Sequence, residues 1–205
     1  KNTEFLKILQ NTAFNIPDGI GIILASKWLK WKKALASSLF ERITGTDLME
    51  KIMEKTEAPT SLLYQKKIFL LGAGEKIAEK AGKIFQEKFP KIKIVGIWSG
   101  SPKKDEENEI ISKINKSGAE ILFVAYGSQA QEKWIAENLQ KMPKIKIAMG
   151  IGGAFDFFAG VKKRAPEWMQ KIGLEWLFRL IQEPKRIKRI YNAVIKFPIK
   201  IIIER

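Results

Sequence analysis

Apolar positions follow two rhythms along this chain. Through the middle, short β-rich, largely apolar runs at 68–71, 92–97, 121–125 and 145–149 read as strands, each running into glycine. Between them, 75–89, 105–116 and 131–139 carry the three-to-four-residue spacing of amphipathic helices. Strands alternating with helices predict an α/β domain: a Rossmann-like, mainly parallel sheet flanked by helices. Ligands in such sheets gather at the carboxyl ends of the strands, where glycine lets the backbone approach a phosphate or sugar closely.

Flanking this alternation, the pattern turns helical. Helices are expected over 4–11, 19–31 and 47–55, the last behind a Thr46 cap, with a connector at 56–67. After the sheet come 165–172 and 174–182, and beyond Pro184, placed to start a helix, a basic amphipathic stretch runs to the end. The boundaries expected are an α/β core over 1–178 and a basic carboxyl-terminal helical appendage over 179–205. No internal repeat and no low-complexity segment interrupts them.

Composition narrows the chemistry. A length of 205 residues with 45% hydrophobic content suits one globular domain with an appended segment. The absence of cysteine removes disulfides, thiolate nucleophiles and thiolate metal sites, and agrees with a reducing compartment. The absence of histidine removes the usual general base and the commonest metal ligand, so acid–base work falls to carboxylates, lysine or tyrosine. A net charge of +15 calls for an anionic partner: nucleic acid, acidic lipid or a phosphorylated substrate. From position 160 onward there are 12 Lys/Arg against 4 Glu, so +8 of the +15 lies in the last 46 residues. No apolar run approaches the roughly 18–20 residues that span a bilayer, and Lys1-Asn2-Thr3-Glu4 lacks a signal peptide's opening. The expectation is a soluble or surface-bound protein.

The aspartates are Asp18, Asp47, Asp105 and Asp156, and no two lie close enough for a DxD motif. That motif would hold a divalent cation against a nucleotide-sugar diphosphate, so the expectation is no metal, with arginine taking its place. Asp18 lies in the turn Asn15-Ile16-Pro17-Asp18-Gly19-Ile20-Gly21, where the ordinary reading is a helix cap. Glu41-Arg42-Ile43-Thr44-Gly45-Thr46-Asp47-Leu48 is a second charged turn, ordinarily a loop and cap. Gly127-Ser128-Gln129-Ala130-Gln131-Glu132 opens a helix whose amides are placed either to hold an anion or simply to be capped. Gly150-Ile151-Gly152-Gly153-Ala154-Phe155-Asp156 sets three glycines and one carboxylate after a strand, as a binding loop or a tight structural turn.

Taken with Ala159-Gly160, Arg164-Ala165-Pro166 and Gly173-Leu174-Glu175-Trp176-Leu177-Phe178-Arg179-Leu180, these segments resemble, in order, the motifs of the WecG/TagA/CpsF glycosyltransferase family. The resemblance implies an inverting transfer from a UDP-sugar to an undecaprenyl-diphosphate-linked sugar, at the cytoplasmic face of the bacterial membrane. It implies no cofactor beyond the UDP-sugar substrate. In the TagA branch, N-acetylmannosamine is added to lipid-linked N-acetylglucosamine to start the wall teichoic acid linkage unit. Asp18 then matches the proposed general base, Gln131 a glutamine near the substrate, and Asp156 an aspartate facing the uridine after the Gly152-Gly153 turn. Arg42 matches an arginine beside the pocket. Arg179, Arg186 and Arg189 match arginines that the family is thought to swing over the active site; a spacing of seven and three would put them on one broad face of a continuous helix, unless Pro184 bends it. Guanidinium groups there could grip the diphosphate in place of a metal. Members usually show Gly-x-Pro where this chain has Gly127-Ser128-Gln129, and usually carry a further amino-terminal region with a Thr-x-Asn-type motif, so part of the family core is expected to precede the chain given.

The tail also interleaves cations with bulky apolar groups, Lys185-Arg186-Ile187-Lys188-Arg189-Ile190-Tyr191 and then Phe197 to Ile203, as helices lying on an anionic membrane surface do. Two other classes compete with the enzyme. A catalytically silent membrane scaffold shares the tail. A nucleic-acid-binding module would use the basic charge and tryptophans, but no RNP, KH or helix-turn-helix signature appears, so no nucleic-acid partner is expected. The apolar helix at 19–31 is a candidate for pairing copies into a homo-oligomer.

Overall fold

A computed structural model describes residues 3–203 of the chain. The expected outer domain limits, positions 1 and 205, therefore lie outside the described residues. In chain order the elements are α1 (Thr3–Gln10), α2 (Ile20–Trp31), α3 (Gly45–Glu57), β1 (Lys67–Gly72), α4 (Ile77–Lys88), β2 (Lys93–Trp98), α5 (Lys104–Ser117) and β3 (Ile121–Ala125). There follow α6 (Ala130–Asn138), a 3-10 turn, β4 (Ile147–Gly150), α7 (Ala154–Phe158), α8 (Glu167–Lys171) and α9 (Glu175–Gln182). The tail is segmented: a 3-10 turn at Pro184–Arg186, α10 (Ile187–Tyr191), a π-helical turn at Asn192–Lys196 and α11 (Phe197–Ile203).

The chain packs as two compact units, one of residues 3–14 with 45–162 and one of 15–44 with 163–203. Packing thus divides the molecule elsewhere than at 178/179, a boundary that falls inside α9.

The first unit holds, among the described residues, a four-stranded all-parallel sheet in the order β2-β1-β3-β4. Alternate residues of the apolar strands face opposite sides, and both sides are covered, as parallel sheets require. Ile68 and Leu70 of β1 with Ile121 and Phe123 of β3 pack on α3, α4 and α7 through Met49, Met53, Phe85 and Phe155. Phe69, Leu71, Leu122 and Val124 face α5 and α6, against Ile110, Ile114 and Trp134. Burying side chains of this size contributes about 1.5–3 kcal/mol apiece, which is why continuous apolar runs commit to the sheet interior. The order places β1 at a switch point: the chain steps from it to β2 on one side, then returns to β3 on the other. The loops after β1 and β3 meet there, with Ala73 N donating to Ala125 O at 3.1 Å.

The second unit is helical and more lightly packed. Helix α2 lies against the π turn and α11. That approach needs glycine at position 21, where an added Cβ would stand 2.6 Å from Ala193 O. The tail is not the continuous helix that the arginine spacing suggested. The backbone leaves helical geometry at Glu183 (φ −132°, ψ 74°), and Pro184, whose missing N–H costs nothing in a first turn, starts the next segment as expected.

Candidate functional site

In the first unit, the loops after β3 and β4 are joined by one side chain. Gln131, in the first turn of α6, is 5% exposed; its Oε1 accepts from Gly152 N at 2.9 Å and its Nε2 donates to Glu132 Oε1 at 2.9 Å. Residue 150 has to be glycine beneath it, because a Cβ there would stand 2.5 Å from Gln131 Nε2. Gln131 therefore fixes the shape of the Gly150–Gly153 turn. The α6 amino terminus is already served by a carboxylate: Glu132 Oε2 accepts from Gln129 N at 2.6 Å, which favours capping over the anion-site reading of that turn. Asp156 sits on α7, a short helix that the glycine pattern concealed, and its Oδ2 pairs with Lys162 Nζ at 2.9 Å with 18% of the side chain exposed. Gly152 and Gly153 hold the turn between Gly150 and that helix. At the end of β3, Tyr126 Oη and Trp134 Nε1 are buried with no hydrogen-bond partner among the described residues, and burial raises the Tyr126 phenol above its ordinary range.

In the second unit, two of the remaining expected residues, Arg42 and Arg179, flank one carboxylate. Glu175 opens α9 and is 6% exposed; its Oε2 pairs with Arg42 Nη1 at 2.9 Å, and its Oε1 lies 3.7 Å from Arg179 Nη2. Burial lowers Arg179 below the ordinary guanidinium value; the carboxylates of Glu175 and Asp18 oppose this, while the like charges of Arg186 and Arg189 add to it. Asp18, Arg179, Arg186 and Arg189 are thus electrostatic neighbours, although the three arginines sit on α9, the 3-10 turn and α10 respectively. Arg186 Nε is held by Glu183 at 2.6 Å. Arg164 Nη2 donates to Thr44 Oγ1 at 3.3 Å, beside the segment that carries Arg42.

Asp18 is exposed and stands one residue ahead of the N-cap of α2, which is Gly19 and carries no side-chain cap bond. The N-cap position expected for Asp18 thus falls on Gly19. An exposed carboxylate near clustered guanidiniums is a candidate to accept the proton of an incoming alcohol. Glu175 was quoted in the sequence motif without a role. Its pairing with Arg42, far earlier in the chain, had no local signal. Among the described residues no group of three carboxylates could hold a metal ion, and no helix is long and apolar enough to cross a membrane.

The chain is 31% identical, over 94% of its length and 70% of the relative's, to N-acetylglucosaminyldiphosphoundecaprenol N-acetyl-beta-D-mannosaminyltransferase of Bacillus subtilis (strain 168). The protein of that name from Bacillus spizizenii is 32% identical over 94% of this chain and 69% of the relative, and that from Staphylococcus aureus (strain MRSA252) 30% over 93% and 70%. A family model described as glycosyl transferase WecG/TagA/CpsF family matches residues 1–205. With that match along the whole length, and relatives above 30% identity, the chain belongs to the WecG/TagA/CpsF glycosyl transferase family.

Proposed function

We propose that this transferase moves N-acetylmannosamine from its UDP conjugate to undecaprenyl-diphosphate-linked N-acetylglucosamine, with inversion at the anomeric carbon. The names of the relatives support the acceptor and the sugar; the grouping of Asp18 with Arg179, Arg186 and Arg189 is the observation that supports the chemistry. Asp18 takes the proton of the acceptor hydroxyl as its oxygen forms the new bond to the anomeric carbon. The bond from that carbon to the UDP oxygen breaks on the opposite face, leaving negative charge on the diphosphate. Arg179, Arg186 and Arg189 stabilise that charge, so no metal or other cofactor enters the step. Arg42, tied to Arg179 through Glu175, keeps the cluster in register. In the sheet unit, the Gly152-Gly153 turn clamped by Gln131 and the Asp156 carboxylate serve the nucleotide-sugar donor.

The enzyme works as a peripheral protein on the cytoplasmic face of the membrane, held by the exposed apolar and basic groups of its tail, Ile187, Tyr191, Ile195, Ile199 and Ile203 among the lysines. Its partners are the UDP-sugar, the lipid-linked acceptor and an anionic leaflet. Release of UDP from UDP-N-acetylmannosamine by purified protein, dependent on a lipid-diphosphate N-acetylglucosamine acceptor, tests the reading. Release from UDP-glucose or UDP-glucuronate in its place would overturn the assignment of the sugar.

A further inference from the structure

Between Ile20 and Phe40 the chain holds four lysines and no carboxylate, and more bulky apolar groups than its packing uses. Helix α2 buries Gly21, Ile23, Ala25 and Ser26. Leu24, Lys27 and Trp31, spaced three and four apart and so stacked on one face, are all exposed, Trp31 by 68%. Beyond the helix the chain loops out and returns: Leu39 N donates to Ser26 Oγ at 3.1 Å, and that hydroxyl donates to Ile23 O at 2.8 Å. The tie brings Phe40, 91% exposed, back to the flank of the same helix. Trp28 and Trp31 pack as a tilted pair, ring centres 4.8 Å apart and planes at 41°, with Lys32 Nζ 4.8 Å from the Trp31 ring and 5.2 Å from the Trp28 ring.

Contiguous exposed apolar groups of this size mark an interaction surface, and tryptophan flanked by long cationic side chains is the composition of a membrane–water interface. Charge selects the occupant. A second copy placed symmetrically on this face would set lysines against lysines, whereas acidic headgroups complement them. We propose that residues 24–40 form a lipid-facing anchor in their own right, distinct from the basic tail, which seats α2 at the headgroup level of an anionic leaflet. Its purpose rests on the transferase reading: a lipid-linked acceptor presents its diphosphate at that level, and Asp18 lies two residues before α2 begins.

Because the chain has no cysteine, Leu35→Cys gives a unique position for a polarity-sensitive dye. The dye should shift to shorter wavelength with vesicles containing phosphatidylglycerol, less so in high salt, and not with phosphatidylcholine alone. Trp31→Ala/Phe40→Ala should weaken vesicle affinity at least tenfold while UDP release with a short, water-soluble acceptor keeps the parent rate. A dye that ignores vesicles to which the full chain binds would overturn the anchor. So would a shift that grows with protein concentration in the absence of lipid, the signature of copies pairing on this face. UDP release by the parent with the soluble acceptor tests the transferase reading separately: a silent parent whose dye still shifts on phosphatidylglycerol supports the anchor and removes only the activity.

Discussion

Arg42 and Arg179, distant in sequence and both expected at the active site, are joined through one buried carboxylate, Glu175, which lies 2.9 Å from the first and 3.7 Å from the second. Removing that charge leaves two partly buried guanidiniums facing each other.

Glu175→Gln should therefore lower both stability and turnover. Breaking one partner of a buried pair costs roughly 3–5 kcal/mol, and less is expected here because Arg42 keeps 17% exposure. The informative readout is kinetic: kcat should fall well beyond what the loss of folded protein explains, and Glu175→Asp, which keeps the charge, should recover part of it. A Gln variant with parental kcat in its folded fraction would reduce Glu175 to a stability element.

Gly150→Ala drives a methyl into the Gln131 side chain. Overpacking of this kind costs about 1–3 kcal/mol, or roughly 2–10 °C in Tm for a chain of this size. Adding Gln131→Ala should remove the clash, so the double variant should melt at a higher temperature than the sum of the single effects gives, while KM for the donor stays raised because the Gly152 amide has lost its partner. Strict additivity in a double-mutant cycle would count against the clamp.

The paired loops were visible in the sequence only as glycine-rich turns. Strands and their order of appearance were legible because a strand buried on both faces is an unbroken apolar run; 121–125 is occupied by β3 residue for residue. Helix α7 was hidden, since five residues between a glycine turn and Gly160 are too few to show periodicity. The spacing of Arg179, Arg186 and Arg189 pointed to one helical face, but the Glu183–Pro184 break sends them onto separate segments, and tertiary packing rather than periodicity brings their charges together. Gln131 read as a substrate contact, and its burial against Gly152 appears only once β4 is placed beside β3.

Helices α5 and α6 are joined through Glu107, which Lys141, Lys104 and Asn138 hold down to about 2, against 4.5 for an ordinary glutamate. A depressed acid contributes stability that is fully present above its unfolded value and is lost as pH falls through the folded one. Stability should therefore decline from about pH 4.5 toward pH 2, and Glu107→Gln should be less stable at neutral pH yet show a flatter acid limb in denaturant titrations. An acid limb as steep in the variant as in the parent would place the titration elsewhere.

Arg186→Ala and Arg189→Ala should each reduce kcat on the order of 100-fold, as the loss of one donor to developing charge does, with little change in Tm because both side chains are partly or largely exposed. Lysine in their place should recover only a fraction, since it lacks the bidentate fork.

The central claim is that Asp18 takes the proton from the acceptor hydroxyl. The direct measurement is the rate of acceptor-dependent UDP release by Asp18→Asn against the parent, at saturating donor and with folding checked by melting temperature. A general base contributes about 10²–10⁴-fold, so a loss of that size in kcat with an unchanged Tm is the predicted result. Equal rates for the two proteins would contradict the account.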